Sequence, residues 1–182
     1  MKSTDKLTKY DDWYVIQVKP GRETYVKEFI EHNSCRILNL IVFRREIIHR
    51  MDGKYITVTT PLFPGYIFVH KDILYVSALA RKRLPSEFVR PVKFAGLPGK
   101  VTNEEMEALL KISSPSGIIE LSGGQKKEGR IIITKGPLKD MNVKVIFVNE
   151  KKRKMKVEFA LLGRTVTMSL GFDFINHETT AA

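Results

Sequence analysis

Cysteine is almost missing from this chain: Cys35 is the only one in 182 residues. That excludes a disulfide framework and a thiolate metal cluster, and it suits a reducing cytoplasm. Long apolar runs are missing too. No stretch reaches the roughly 18 consecutive apolar residues that a spanning helix needs, so no membrane partner is expected. The opening Met1-Lys2-Ser3-Thr4-Asp5-Lys6 leads into no apolar segment, which argues against a signal peptide. Histidine is sparse. His32, His49, His70 and His177 show no i, i+4 ligand spacing and none neighbours Cys35, so no metal site is expected. The chain has no phosphate-binding glycine loop, no G-x-S-x-G elbow and no Cys–His pair. Glu104, Glu105 and Glu107 do cluster, but at a helix start, where carboxylates complement the dipole. The expectation is a protein without cofactor or catalytic centre, working by binding.

Positive charge is in excess. The net charge is +11 and the isoelectric point about 9.7. Such a balance in a small protein points to an acidic partner, most often nucleic acid, with a plain basic surface as the competing reading. The charge is uneven. Residues 125–182 carry 12 Lys and Arg against 6 Asp and Glu, whereas residues 1–124 carry 19 against 14. The C-terminal third is therefore the more cationic per residue. Apolar residues make up 43% of the chain, enough for a packed core rather than global disorder.

Patterning gives an α+β chain in two parts. Trp13–Val18 reads as a buried strand, ended by Lys19-Pro20-Gly21. A helix follows from Arg22, with Val26, Phe29 and Ile30 on one face. After Ile37–Arg45, Asp52-Gly53 marks a type I′ hairpin between Glu46–Arg50 and Tyr55–Val58. A strand at Tyr66–His70 leads to a helix opened near Asp72 and running from Ile73 to Arg83, with Leu74, Ala78 and Leu79 inward. Pro85 breaks it, and Phe88–Phe94 reads as another strand. Thr102 and Glu105 have capping-box spacing for a third helix that buries Met106, Leu109 and Leu110. Ser113–Gly117 and Ser122–Lys127 are small, polar and glycine-rich, which predicts a flexible linker. Beyond it, Arg130–Thr134, Lys144–Val148, Met155–Phe159 and Thr165–Met168 recur at roughly ten-residue spacing, the signature of a small barrel. The expected layout is a frayed tail at 1–12, an α/β sandwich with an antiparallel sheet at 13–112, a linker at 113–127, a barrel at 128–176 and a tail at 177–182.

Two motifs stand out. Leu62-Phe63-Pro64-Gly65-Tyr66-Ile67-Phe68-Val69 is a Pro-Gly break running into an aromatic strand. Gly136-Pro137-Leu138-Lys139-Asp140-Met141 is a Gly-Pro turn that opens the later strands. With Trp13-Tyr14-Val15-Ile16 and Phe159-Ala160-Leu161-Leu162-Gly163-Arg164, they resemble the two domains of the NusG family of transcription elongation factors: an amino-terminal NGN domain and a carboxy-terminal KOW barrel. The basic run Lys151-Lys152-Arg153-Lys154 and the stretch Phe88-Val89-Arg90-Pro91-Val92-Lys93-Phe94 look most like the specialised paralogue LoaP. Val143 departs from the KOW pattern, which places glycine there; Asn142 is expected to take the left-handed conformation instead.

The resemblance implies a monomeric cytoplasmic protein that binds RNA polymerase and promotes processive antitermination. Phe63, Tyr66 and Phe68, with Tyr14 and Ile16 beside them, would grip the polymerase clamp helices; core packing is the competing reading from strand periodicity. Lys19, Arg22, Arg81, Lys82 and Arg83 would face the DNA of the transcription bubble. Cations at a helix C-terminus also satisfy its dipole, which is the plainer reading of the last three. Lys151, Lys152, Arg153 and Lys154, with Lys139 and Arg164, would bind nascent RNA, such as a hairpin; a solvated turn is the alternative. Leu138, Met141, Leu161, Leu162 and Arg164 match the KOW surface that general family members use for Rho or a ribosomal protein, against a reading of the apolar ones as barrel core. A ribosome-associated RNA-binding protein is the competing class.

Overall fold

The computed structural model describes residues 12–174, apart from 88, 95, 129, 140, 142 and 143. Both tails beyond that range, Phe88, and the Asp140, Asn142 and Val143 turn discussed above lie outside the described residues. Along the chain run β1 (Trp13–Gln17), α1 (Glu23–Asn33), β2 (Leu40–Ile41), β3 (Arg44–Met51), β4 (Lys54–Pro61), β5 (Tyr66–His70) and α2 (Ile73–Arg83). A 3-10 turn at Pro85–Glu87 precedes β6 (Arg90–Pro91), β7 (Lys93–Phe94), β8 (Leu97–Pro98), β9 (Lys100–Val101) and α3 (Asn103–Ile112). Then come β10 (Ile118–Ile119), β11 (Ser122–Lys127), β12 (Arg130–Lys135), β13 (Val145–Asn149), β14 (Lys154–Leu161) and β15 (Arg164–Phe174). The mixed α+β class matches the sequence expectation. The described chain forms two compact units: residues up to Phe43 together with Phe63–Leu110, and Arg44–Leu62 together with the residues from Lys111 onward.

In the first unit β1 lies between β5 and β6, with β2 beyond β5 and β9 also pairing β1. One sheet face carries Ile16, Val18, Ile67 and Val69, packed under Val26 and Ile30 of α1 and Val76 and Ala80 of α2. The other carries Trp13, Val15 and Phe68, which are equally buried. There the Phe43 ring meets Phe68 edge-on at 4.9 Å, a geometry that contributes about 0.5–1.5 kcal/mol beyond area burial. Helix α2 turns a different stripe inward from the one periodicity suggested. Ile73, Val76, Ser77 and Ala80 are buried, Leu74 and Ala78 face solvent, and Leu79 packs only partly. Two stripes satisfy the 3.6-residue period in that sequence; the β-branched one fits the sheet. Asp72 makes no side-chain cap; its carboxylate pairs with Arg36 at 2.8 Å instead. The capping box at α3 is present: the Thr102 N–H donates to Glu105 Oε2 at 3.1 Å, and the Glu105 N–H to Thr102 Oγ1 at 3.3 Å.

In the second unit the strands run β12-β11-β15-β14-β13, beside a smaller sheet of order β10-β3-β4. Alternation along β14 buries Met155, Val157, Phe159 and Leu161, joined by Met168, Leu170 and Phe172 of β15. Two expectations are corrected here. The stretch read as linker is structured: Ser122–Lys127 is strand β11, paired antiparallel with β12 and parallel with β15. Its glycines serve close packing, since a Cβ on Gly124 would collide with the Ile132 carbonyl. Ser113–Gly117 is a hydrogen-bonded turn, with the Gly117 N–H on the Ser114 carbonyl at 2.9 Å. The Asp-Gly hairpin β3–β4, expected within the amino-terminal domain, belongs to this second unit. The Arg45 guanidinium donates to the Ser169 carbonyl, and Glu46 accepts the Leu121 N–H at 3.0 Å. The turn itself is as read: Asp52 and Gly53 have φ of 50° and 77°, the positive angles of a type I′ turn.

Candidate functional site

The two Pro-Gly turns of the first unit are fastened by one carboxylate. Glu23, at the start of α1, is 2% exposed, and its Oε1 accepts the N–H groups of both Gly21 and Gly65. Gly65 has φ of 83°, and a Cβ there would stand 3.0 Å from the Val18 carbonyl, so only glycine sits without strain. The Val18 N–H in turn donates to the Gly65 carbonyl at 2.8 Å. Phe63-Pro64-Gly65 is thus a rigid turn that aims the first residue of β5, Tyr66.

Tyr66 lines a shallow cleft of about 520 Å³ with Gln17, Arg81, Arg90, Val92 and Lys93. A smaller hollow of about 260 Å³ shares Gln17 and Arg90 and adds Lys19 and Pro20. The register explains the meeting. Gln17 pairs with Tyr66 across β1–β5 and with Arg90 across β1–β6, so the three lie side by side on the sheet. Arg90 Nε donates to Gln17 Oε1 at 3.0 Å, which fixes the guanidinium at the cleft wall. Arg81 comes from the last turn of α2, where its Nε donates to the Ser77 carbonyl at 3.2 Å. Beside Lys93, the hairpin β7–β8 pairs Phe94 with Leu97, and both are largely exposed. The arrangement presents a ring, an apolar tip and four cations on one surface.

The expected apolar patch is only partly there. Ile16 is fully buried on the helix-covered face, and Phe68 is 1% exposed on the opposite one. Val15 pairs with Phe68 and Ile16 with Ile67, so Tyr14 and Ile16 cannot share a face with Tyr66 and Phe68. Ile16 and Phe68 are core residues, and the burial of Phe68 is completed by Phe63 at 5.8 Å and Phe43. Tyr14 and Phe63 are half-buried, Tyr14 packing against the α1–α2 core. Tyr66 alone of the five reaches the cleft.

The expected DNA-facing cations divide in the same way. Lys19 and Arg81 line the hollow and the cleft, whereas Lys82 and Arg83 are exposed but line neither. Arg22 is engaged locally: it pairs with Glu87 at 3.3 Å and lies over the Tyr25 ring at 4.2 Å. In the second unit Lys139, Lys151, Lys152 and Arg164 are exposed and Lys154 half-buried. Arg153 is held in place. It pairs with Asp173 at 2.9 Å, stacks over the Tyr55 ring at 4.3 Å, and has φ of 48° in the β13–β14 turn. Leu138 and Leu161 are buried in the core, while Met141 and Leu162 are half-buried.

Residues 11–110 match the profile of the family described as "NusG: Transcription termination factor nusG". The chain belongs to the NusG family. The transcription termination/antitermination protein NusG of Thermus thermophilus is 25% identical over 181 residues, covering 88% of this chain and 95% of that protein. Its Helicobacter pylori counterpart is 26% identical over 173 residues, covering 87% and 94%. A solved structure, of the domain interaction in Thermotoga maritima NusG, is similar over 88% of this chain and 93% of that chain, at 20% identity and a TM-score of 0.45. Within this NusG-family chain, sequence reading missed Gln17, Arg90 and Lys93 as cleft residues, because their convergence depends on strand register. Glu23 was missed too. Its signal was present: an acidic residue at a helix start, between two Pro-Gly turns with unpaired N–H groups.

Proposed function

We propose that this NusG-family factor docks onto RNA polymerase through the Tyr66 cleft, promotes processive antitermination in the manner of LoaP, and contacts nascent RNA with its basic barrel. The carrying observation is the convergence of Tyr66, Arg81, Arg90 and Lys93 on one cleft beside the exposed Phe94–Leu97 tip. Aromatic and arginine side chains at the centre of a surface are the usual anchors of protein interfaces. The partner expected from the family is the clamp-helix region of the polymerase, with Lys19 and Arg81 placed to meet bubble DNA at the edge. The relatives' names, termination and antitermination together, supply the process. The basic run Lys151–Lys154 and the Phe88–Phe94 sequence favour the specialised, antiterminating branch.

The test is a pull-down on RNA polymerase core enzyme. The parent chain should be retained, and Tyr66→Ala, which truncates a half-buried cleft residue, should lose retention while melting like the parent. A second reading keeps the general role: half-buried Met141 and Leu162 leave apolar surface on the barrel for a protein partner such as Rho or a ribosomal protein. RNA binding by the chain at physiological salt separates the two.

A further inference from the structure

Strand β13 carries an apolar surface that the barrel core does not use. None of its five residues is fully buried, and Ile146 and Phe147 are 46% and 52% exposed. Adjacent strand residues ordinarily point to opposite faces, so two exposed apolar neighbours are unusual. The cause is local. The pairing with β14 shifts register between Val145 and Phe147, and such a bulge re-aims side chains. Beyond the bulge Phe147 stands opposite Lys156, itself exposed. β13 is also the end strand of its sheet, so its outer edge is unpaired among the described residues.

The charge around Phe147 selects the occupant. The acids of the β13–β14 hairpin are already paired: Glu150 with Lys126 at 3.2 Å and Glu158 with Lys144 at 2.8 Å. Lys151, Lys152 and Lys156 are exposed, with no ion pair seen among the described residues. Lys151 and Lys152 lie in the turn that closes β13 onto β14; the last pair before that turn, Asn149 with Lys154, is two residue pairs beyond Phe147, or roughly 7 Å along the strand. An apolar protein segment would meet an uncompensated field here. A polyanion with exposed ring faces would meet both a stacking surface and its counter-charges.

We infer that Phe147 is a stacking platform for an unpaired RNA base, with Lys156 and the Lys151–Lys152 turn holding the flanking phosphates. This rests on the reading of the barrel as the RNA-contacting unit and extends it: the element recognised is single-stranded, such as a loop or a bulge beside a stem. Base–aromatic stacking tolerates sequence, because every base has a π-face, whereas regular duplex offers none.

The experiment uses the full chain and two RNAs of equal length, a single strand carrying 2-aminopurine and a fully paired duplex. Phe147→Ala should weaken single-strand binding by about five- to a hundredfold, as expected for one lost stack, and duplex binding less than twofold. Phe147→Trp should restore the single-strand affinity and quench the 2-aminopurine signal. Both variants should melt as the parent does, since the side chain is half out of the core. If the parent binds single-stranded RNA and Phe147→Ala binds it equally well, the platform is refuted while the RNA-contacting barrel stands. A parent that binds neither RNA at physiological salt overturns both. Loss of self-association in Phe147→Ala, with RNA affinity unchanged, would make β13 a protein contact and also overturn the platform.

Discussion

Glu23 illustrates how a single side chain sets the position of a cleft residue, Tyr66, through the turn that precedes it. Its carboxylate joins the turn after β1, whose Lys19 and Pro20 line the smaller hollow, to the turn before β5, which leads into the cleft residue Tyr66. Glu23→Ala would leave the Gly65 N–H buried without a partner, which costs about 1–3 kcal/mol. The expected outcome is a lower denaturation midpoint, together with weaker polymerase retention than the stability loss explains. Glu23→Gln keeps an acceptor oxygen and should recover most of both. At this scale the sequence was half legible. Tyr66, Lys19 and Arg81 were found from an aromatic strand, a strand end and a helix end. Ile16 and Phe68 were misplaced because alternation says which residues share a face within one strand, but not which strand faces pair. That needs the register, and the register comes from the partner strand.

Elements were easier to read, and their failures are informative. The capping box, the Asp-Gly hairpin and the Pro85 break were legible because each is a local rule whose hydrogen bonds close within a few residues. The glycine-rich stretch before the barrel was not. Gly123 and Gly124 look like flexibility, yet they serve close approach in a strand held on both sides. Trypsin gives a direct check. A flexible joint would be cut at Lys126 or Lys127, whereas a strand paired with β12 and β15 should resist cleavage there under native conditions. Replacing Gly124 with Val should restore sensitivity, because the side chain would collide with the Ile132 carbonyl and push β11 from its neighbours. Cleavage at Lys127 in the parent as fast as in a denatured control would return these residues to a linker.

For the whole molecule, the excess of +11 is spread over both units, so salt should separate the two contacts proposed for them. Charge counting alone treats the Lys151–Lys154 run as one patch of four. The structure splits it, because Arg153 is committed to Asp173 and Tyr55 and supports the turn. Removing all four cations would therefore mix lost phosphate contacts with a disturbed hairpin. The double variant Lys151→Ser with Lys152→Ser is cleaner. Each phosphate contact on a single strand contributes roughly 0.7 to the slope of log affinity against log salt, so the pair should flatten that slope by about 1.4. Thermal stability should hardly change, since exposed charges contribute little to folding. Polymerase retention should be preserved, because Tyr66, Arg81 and Arg90 are untouched, while readthrough on a template whose transcript the parent binds should fall. Joining two weak contacts raises the effective concentration of the second, so losing one should reduce readthrough by far more than it reduces polymerase binding. An unchanged salt slope in the double variant would mean that these lysines are merely solvated, and the search for the RNA surface would move to Lys139 and Arg164.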